Sequence, residues 1–147
     1  MSSSDIREEA FPAPSKRVDG TVNGVETEVA SINFSDKIMI TISQEGRLAQ
    51  WVQVPLSAPS AASLEMALPS LGSSSLPASH LTPTTLLGGA SGDRETIGQL
   101  YAAQLASHIT LMNPAETRIL VLGLGLQQVD TARESFFDIL ELVQRVL

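Results

Sequence analysis

Between residues 34 and 54 the chain reads FSDKIMITISQEGRLAQWVQV, two strand-like runs in which apolar residues occupy both sets of alternate positions. Gln44, Glu45 and Gly46 supply a turn between them, so the segment reads as a β-hairpin with no clearly polar face. Gly46 suits the left-handed position of a three-residue loop. In that register Ile38, Ile40 and Ile42 share a face with Leu48 and Val52, while Met39 and Thr41 share the other with Ala49 and Trp51. A two-residue turn at Glu45 and Gly46 slips the pairing by one and exchanges the partners. Both registers leave two apolar faces, and each face needs a cover.

Asn23 and Gly24 between residues 16–22 and 25–34 form the strongest short hairpin signal, and Ser35 with Asp36 turns the chain again. The pattern therefore predicts an antiparallel meander of four strands at about 16–22, 25–34, 37–43 and 48–54. Residues 55–80 shift to Ser, Ala, Pro and Leu with one charge, Glu65, and prolines at 55, 59, 69 and 77, which reads as a long flexible loop with room for a helical turn at 63–68. A fifth strand follows at 82–87. Ile97, Leu100, Tyr101, Leu105, His108, Ile109 and Met112 then recur at three- and four-residue steps, predicting a helix over 93–112 that Asn113 and Pro114 end. Residues 118–124 form a sixth strand, continuous enough in Ile, Leu and Val to be buried on both faces. Thr131 and Glu134 make a capping box for a last helix to residue 146, with Phe136, Ile139, Leu140, Val143 and Leu147 on its stripe.

The expected fold class is α+β: a six-stranded, mainly antiparallel β-sheet or sandwich in the order β-β-β-β-β-α-β-α with two packed helices. Residues 1–15 read as a disordered tail and 16–147 as one domain. Two helices most economically cover one face of such a sheet. The other face must meet a partner or be covered by the sheet folding over itself. The residues marked as a candidate protein interface are Met39, Thr41, Ala49, Trp51 and Gln53.

Composition narrows the function. The 147 residues carry no cysteine, which removes disulfides, thiolate metal sites and cysteine nucleophiles. Sixteen acidic against nine basic residues give a net charge of −7, opposing contact with a phosphate backbone, so nucleic acid is not an expected partner. The first residues lack the apolar stretch of a secretory signal, and the run at 119–126 is far short of the ~20 residues a membrane helix needs. No membrane association is expected. The expected location is the cytoplasm, with the nucleus as a further compartment.

Candidate chemistry is sparse. Gly88, Gly89, Ala90, Ser91 and Gly92 before a helix have the look of a phosphate loop, but they lead into Asp93, Arg94 and Glu95 rather than the Lys-Ser/Thr a Walker loop needs. Gly123, Leu124 and Gly125 match half of a dinucleotide fingerprint, with no third glycine and no following βαβ unit, and read better as a strand-end kink. His80 and His108 have no metal-ligand spacing, and no Gly-x-Ser-x-Gly elbow is present. Neither an enzyme nor a cofactor is expected.

The order of pieces resembles a known family. The run TEVASINFSDKIMITISQEGRLAQWVQVPL, then LTPTTLLGG, a helix, RILVLGLGL and a C-terminal helix is similar to the proteasome assembly chaperone 3 family, in its fungal type, over residues 16–147. Its carrying motifs are Thr27-Glu28-Val29, Phe34-Ser35, Gln44-Glu45-Gly46, Leu81-Thr82 and Leu86-Leu87-Gly88, none of them catalytic. The resemblance implies a non-enzymatic chaperone that dimerises, with an assembly chaperone 4-like partner or with itself. It would bind alpha-type subunits, especially the fifth, promote assembly of the 20S proteasome alpha ring, and leave as beta subunits join. Small meander-plus-helix domains also serve as dimeric scaffold or adaptor subunits of membrane-traffic or GTPase-regulatory complexes, the alternative reading.

Overall fold

The computed structural model describes residues 13–57, 81–88, 92–127 and 133–147. The expected tail before residue 13, the loop beyond Ser57 with its turn at 63–68 and His80, the middle of the 88–92 glycine turn, and Thr131 of the capping box lie outside the described residues. The elements run β1 (Ser15–Val22), β2 (Val25–Asn33), β3 (Lys37–Gln44), β4 (Gln50–Pro55), β5 (Thr84–Leu87), α1 (Asp93–Met112), β6 (Ile119–Gly125) and α2 (Arg133–Gln144). Among the described residues this is the expected α+β class: one six-stranded sheet, mostly antiparallel, with two helices.

The meander holds for three strands. β1 and β2 pair through Val22 and Val25 across the turn at Asn23 and Gly24, and β2 pairs antiparallel with β3. The fourth strand departs from the expectation. The sheet order is β1-β2-β3-β6-β4-β5, so β6 separates β3 from β4, running parallel to β3 and antiparallel to β4. Of the expected hairpin only the tip remains: Gln44 and Arg47 bridge across Glu45 and Gly46, whose φ angles of 53° and 71° belong to a two-residue turn, not a three-residue loop. Past the tip the strands part, and the Ala49 N–H donates to the Leu124 carbonyl of β6 at 2.8 Å. The cause is the apolar continuity of β6. Its central place gives it a ladder on both sides and buries Leu120, Leu122 and Leu124 almost completely, which a sheet edge cannot do.

Both helices lie on one face of the sheet, and the sheet does not fold over into a sandwich. Ile40, Ile42, Leu122 and Val52 form the floor of the core beneath Tyr101, Leu105 and Ile109 of α1 and Ile139 and Val143 of α2. The core stripe of α1 differs from the expected one. Gly98, Tyr101, Ala102, Leu105, Ala106 and Ile109 face inward, while Leu100 and Met112 of the expected stripe are exposed. Small residues at 98, 102 and 106 let the helix sit close to the sheet, and a Cβ at Gly98 would overlap the Gln50 amide.

Buried polar groups are placed where elements must be aligned. Gln44 donates to the Thr27 hydroxyl at 3.1 Å and accepts from the Gln127 N–H at 2.9 Å. Gln50 donates to the Arg94 carbonyl at 3.1 Å, and the Ser31 hydroxyl donates to the Val146 carbonyl at 2.7 Å, tying α2 to β2. Each such bond adds on the order of 1 kcal/mol and, more usefully, penalises any other register. β4 continues through Pro55 and buries Leu56, so the sheet and core reach past the expected start of the loop.

Candidate protein-interaction surface

The sheet face opposite the helices has no cover within the described residues. In the middle of it Thr41, Gly123 and Trp51 lie side by side on β3, β6 and β4, and the next row is Ile32, Met39, Val121 and Gln53. All of these except Gly123 keep partial solvent exposure, in contrast to the nearly dry Ile40, Leu122 and Val52 on the reverse side. Arg17 on β1 holds Glu28 on β2 at 2.8 Å at one margin, so charge is confined to the rim. An apolar centre with a polar rim is the arrangement protein interfaces use.

Of the residues marked from the sequence, Met39, Thr41, Trp51 and Gln53 share this face. Ala49 does not sit in a strand; it is exposed on the approach to β4. Met39 and Thr41 thus do share a face with Trp51, but β6 lies between the two strands and carries the link. Ala30, Ile32, Ile119 and Val121 also belong to the face and were missed. Period-two alternation through 29–32 and 119–123 was the available signal, and it became usable only once β6 was placed beside β3.

Trp51 explains Gly123. A Cβ at residue 123 would lie 2.9 Å from the indole, so the glycine lets the ring lie flat across β6. A Cβ at Gly125 would overlap the Arg47 carbonyl where the hairpin tip crosses the end of β6. Gly123 stands inside the strand and Gly125 is its last residue, and the spacing read as a strand-end kink answers to packing. Gly88 is likewise pressed against the Ala49 carbonyl where β5 leaves the sheet.

At the other end of the sheet Glu116 and Arg118 form a clamp. Arg118 Nε and Nη2 donate to Glu116 Oε1 and Oε2, both at 2.8 Å, and Nη1 donates to Asn33 Oδ1 at 3.3 Å and the Phe34 carbonyl at 3.2 Å. The pair ties the α1–β6 connection to the β2–β3 turn. Hydrogen bonding from Arg118 lowers the Glu116 carboxyl from 4.5 to about 2 despite burial. A depressed carboxyl contributes stability that is complete above pH 4.5 and lost as pH falls through about 2. The expected contribution is about 2 to 3 kcal/mol. Wild type and Glu116→Gln should therefore differ by about that much in urea unfolding at pH 6, and the gap should close toward pH 2. A gap that stays constant with pH would contradict the clamp.

An open depression of about 490 Å³ lies between the hairpin tip and the start of α1, lined by Arg47, Ala49, Arg94 and Gln127, and two further pockets on the helix side are small. One of about 160 Å³ is lined by Ile38, Ile109, Met112 and Val146 beside the clamp, and one of about 110 Å³ by Tyr101, Ser135 and Ile139. Both fall below the ~300 Å³ at which pockets for drug-sized ligands begin. Among the described residues no group of three His, Asp or Glu side chains is placed to hold a metal, and no helix is long and apolar enough to cross a membrane. The surface built by the sheet is suited to protein contact.

No protein-family model matches the chain, and no curated protein sequence does. In fold the chain is similar to a chain in the crystal structure of a novel chaperone complex for yeast 20S proteasome assembly, with a TM-score of 0.62 and 15% sequence identity, over 90% of this chain and 97% of that one.

Proposed function

We propose that this chain is a non-enzymatic chaperone of 20S proteasome assembly that works as a dimer. The observation that carries this reading is the open sheet face, apolar at its centre and without a cover among the described residues, on a fold shared along nearly its whole length with a chain of a proteasome-assembly chaperone complex. The motif order that resembles the assembly chaperone 3 family supports it independently. The dimer partner is an assembly chaperone 4-like protein or a second copy. The client is an alpha-type subunit, the fifth in particular, and the site of action is the cytoplasm and nucleus. Binding holds correct alpha-subunit neighbours together, steric overlap with an arriving beta subunit drives release, and no nucleotide is consumed.

Loss of the protein from its cell is the test of the client: alpha-ring intermediates should fall or become misassembled, and normal levels would sink the reading. Affinity capture of the intact complex should return alpha-type subunits; capture of membrane-traffic or GTPase-regulatory subunits would favour the adaptor reading. The dimer has its own check. Val121→Glu places a charge at the centre of the open face, where desolvation on docking is severe, and should reduce the dimer mass seen by light scattering to that of the monomer. The helix-side core is untouched, so the folded far-UV signal should persist. A wild type that stays monomeric at micromolar concentration, alone and with co-purified partner, would remove the dimer.

A further inference from the structure

Most of the described cations on this acidic chain have a carboxylate partner. Arg17 holds Glu28, Lys37 holds Asp36, Arg118 holds Glu116 and Arg145 lies 3.5 Å from Glu141. Of the Lys and Arg side chains described, Lys16, Arg47 and Arg94 form no ion pair. Lys16 stands exposed on the edge strand β1. Arg47 and Arg94 instead line one depression of about 490 Å³, completed by Ala49, Gly125, Leu126 and Gln127, with no acidic side chain in its lining. Two like charges brought into one hollow repel each other, and nothing in the lining offsets them.

Both arginines are carried by fixed backbone. The Arg47 N–H donates to the Gln44 carbonyl at 3.3 Å across the two-residue turn, and the Arg47 carbonyl is packed over Gly125. The Arg94 carbonyl accepts from the Gln50 amide at 3.1 Å, and Arg94 Nη1 donates to the Leu126 carbonyl at 3.2 Å. That second bond sets the guanidinium against the end of β6 and leaves its remaining N–H groups without a described partner. It explains Arg94 as a tie between α1 and β6, but it leaves Arg47 unexplained, since that side chain makes no hydrogen bond or ion pair with a described residue. Arg94 also stands in the first turn of α1, where a positive charge opposes the helix dipole, and neither Asp93 nor Glu95 beside it forms an ion pair with it.

We propose that this depression binds an acidic peptide segment of a partner protein, two of whose carboxylates are taken by Arg47 and Arg94. A guanidinium offers a planar fork of donors that a carboxylate meets with two parallel bonds. The two forks come from separate elements, the hairpin tip and α1, so anionic groups spaced along a chain suit them better than one compact ion. The volume agrees, exceeding the ~300 Å³ at which ligand pockets begin and far exceeding what an inorganic anion fills. The Gln127 side chain adds an amide able to donate to and accept from a peptide bond, and Ala49 and Leu126 add apolar surface. The proposal rests on these residues and not on the proteasome reading.

The probe is a fluorescein-labelled peptide of about ten residues with Glu at alternate positions, titrated with the full chain and followed by anisotropy. Its companion carries Gln in place of every Glu. The acidic peptide should bind at least about tenfold more tightly than the companion. Arg47→Gln and Arg94→Gln should each weaken it about fivefold, the scale of one partly exposed ion pair, and Arg94→Lys should recover only part of the loss because it restores charge without the fork. Arg47→Gln should leave the thermal midpoint in place, since the side chain is exposed. Lys16→Gln, which removes an unpaired cation elsewhere, and Val121→Glu, which breaks the proposed dimer, should both leave peptide binding unchanged. Equal binding of the Gln peptide, or a loss in Lys16→Gln as large as in Arg47→Gln, would overturn the proposal. So would displacement by inorganic phosphate beyond that by chloride at equal ionic strength, which would assign the site to a compact anion. Tighter peptide binding in full-length chain carrying Glu8→Gln and Glu9→Gln would overturn it in favour of the chain's own acidic segment, and binding that is lost as chain concentration rises would do so in favour of a second copy.

Discussion

Truncating Leu122 to alanine is expected to destabilise the fold by about 3 to 5 kcal/mol, whereas truncating its neighbour Val121 should cost the isolated chain less than about 1 kcal/mol. Leu122 is 0% exposed at the centre of the sheet, between Ile40 of β3 and Val52 of β4 and beneath the helices. The surroundings are strands held by ladders on both sides, which cannot collapse into the space left behind, so the transfer and cavity terms add. Val121 points to the open face and gives up far less. Urea unfolding at low protein concentration measures both. If a partner copy covers the open face, the loss at Val121 grows with protein concentration while that at Leu122 stays fixed, because dimer stability depends on concentration and the monomer core does not. Equal losses at the two positions under dilute conditions would mean that the open face is covered within the chain.

That contrast within one strand also shows how far sequence reading reached. Residues 118–124 read as buried on both faces, and among the described residues one face is dry while the other keeps partial exposure. A run of Ile, Leu and Val reports how much burial a strand needs, and it does not say which molecule provides it. The helix periods over 93–112 and 133–144, the Asn23-Gly24 turn and the pairing of the first three strands of the meander were legible because each depends on contacts local in sequence. The placement of β6 was not. It depends on which of two strands pairs with a segment some seventy residues later along the sequence, from the 48–54 region to 119–125, a choice set by global burial. Adjacent apolar runs around a Gly turn favoured a hairpin, and the winning arrangement kept two residues of that turn and opened the rest.

The candidate surface was legible in the same uneven way. Period two pairs Met39 with Thr41 and Trp51 with Gln53; that the two pairs share one face was read from a three-residue turn, and it holds instead because Val121 and Gly123 of β6 register both strands. Ala49 was included by starting the strand at 48, two residues before β4 begins at Gln50. On α1 the stripe misled in the opposite direction: Leu100 and Met112 fit a three- and four-residue spacing but point outward, because Gly98, Ala102 and Ala106 take the sheet-facing positions. Small residues carry little hydrophobic signal, and their value here is close approach, which only a structure displays.

The sharpest consequence of the inserted strand falls at Gly125, where alanine is expected to cost at least about 3 kcal/mol. A Cβ there meets the Arg47 main-chain carbonyl, with the Leu48 Cα 3.0 Å away, and neither can turn aside as a side chain would. Relief requires β6 to withdraw from beneath the hairpin tip, which strains the Ala49 to Leu124 hydrogen bond and the bond from Gln127 to Gln44. Gly123→Ala should behave differently. Its obstacle is the Trp51 ring at 2.9 Å, which can tilt outward, so the loss should be about 1 to 2 kcal/mol with a shift in the emission of the chain's single tryptophan. Gly46→Ala separates sterics from backbone strain: nothing lies within 4 Å of its Cβ, and only the left-handed φ of 71° is penalised, by about 1 kcal/mol. Urea unfolding of the three variants should rank 125 above 123 and 46, with altered tryptophan emission in the native state of the 123 variant. If Gly125→Ala were as mild as Gly46→Ala, β6 would not run beneath the hairpin tip, and the split of β3 from β4 that creates the open face would have to be redrawn.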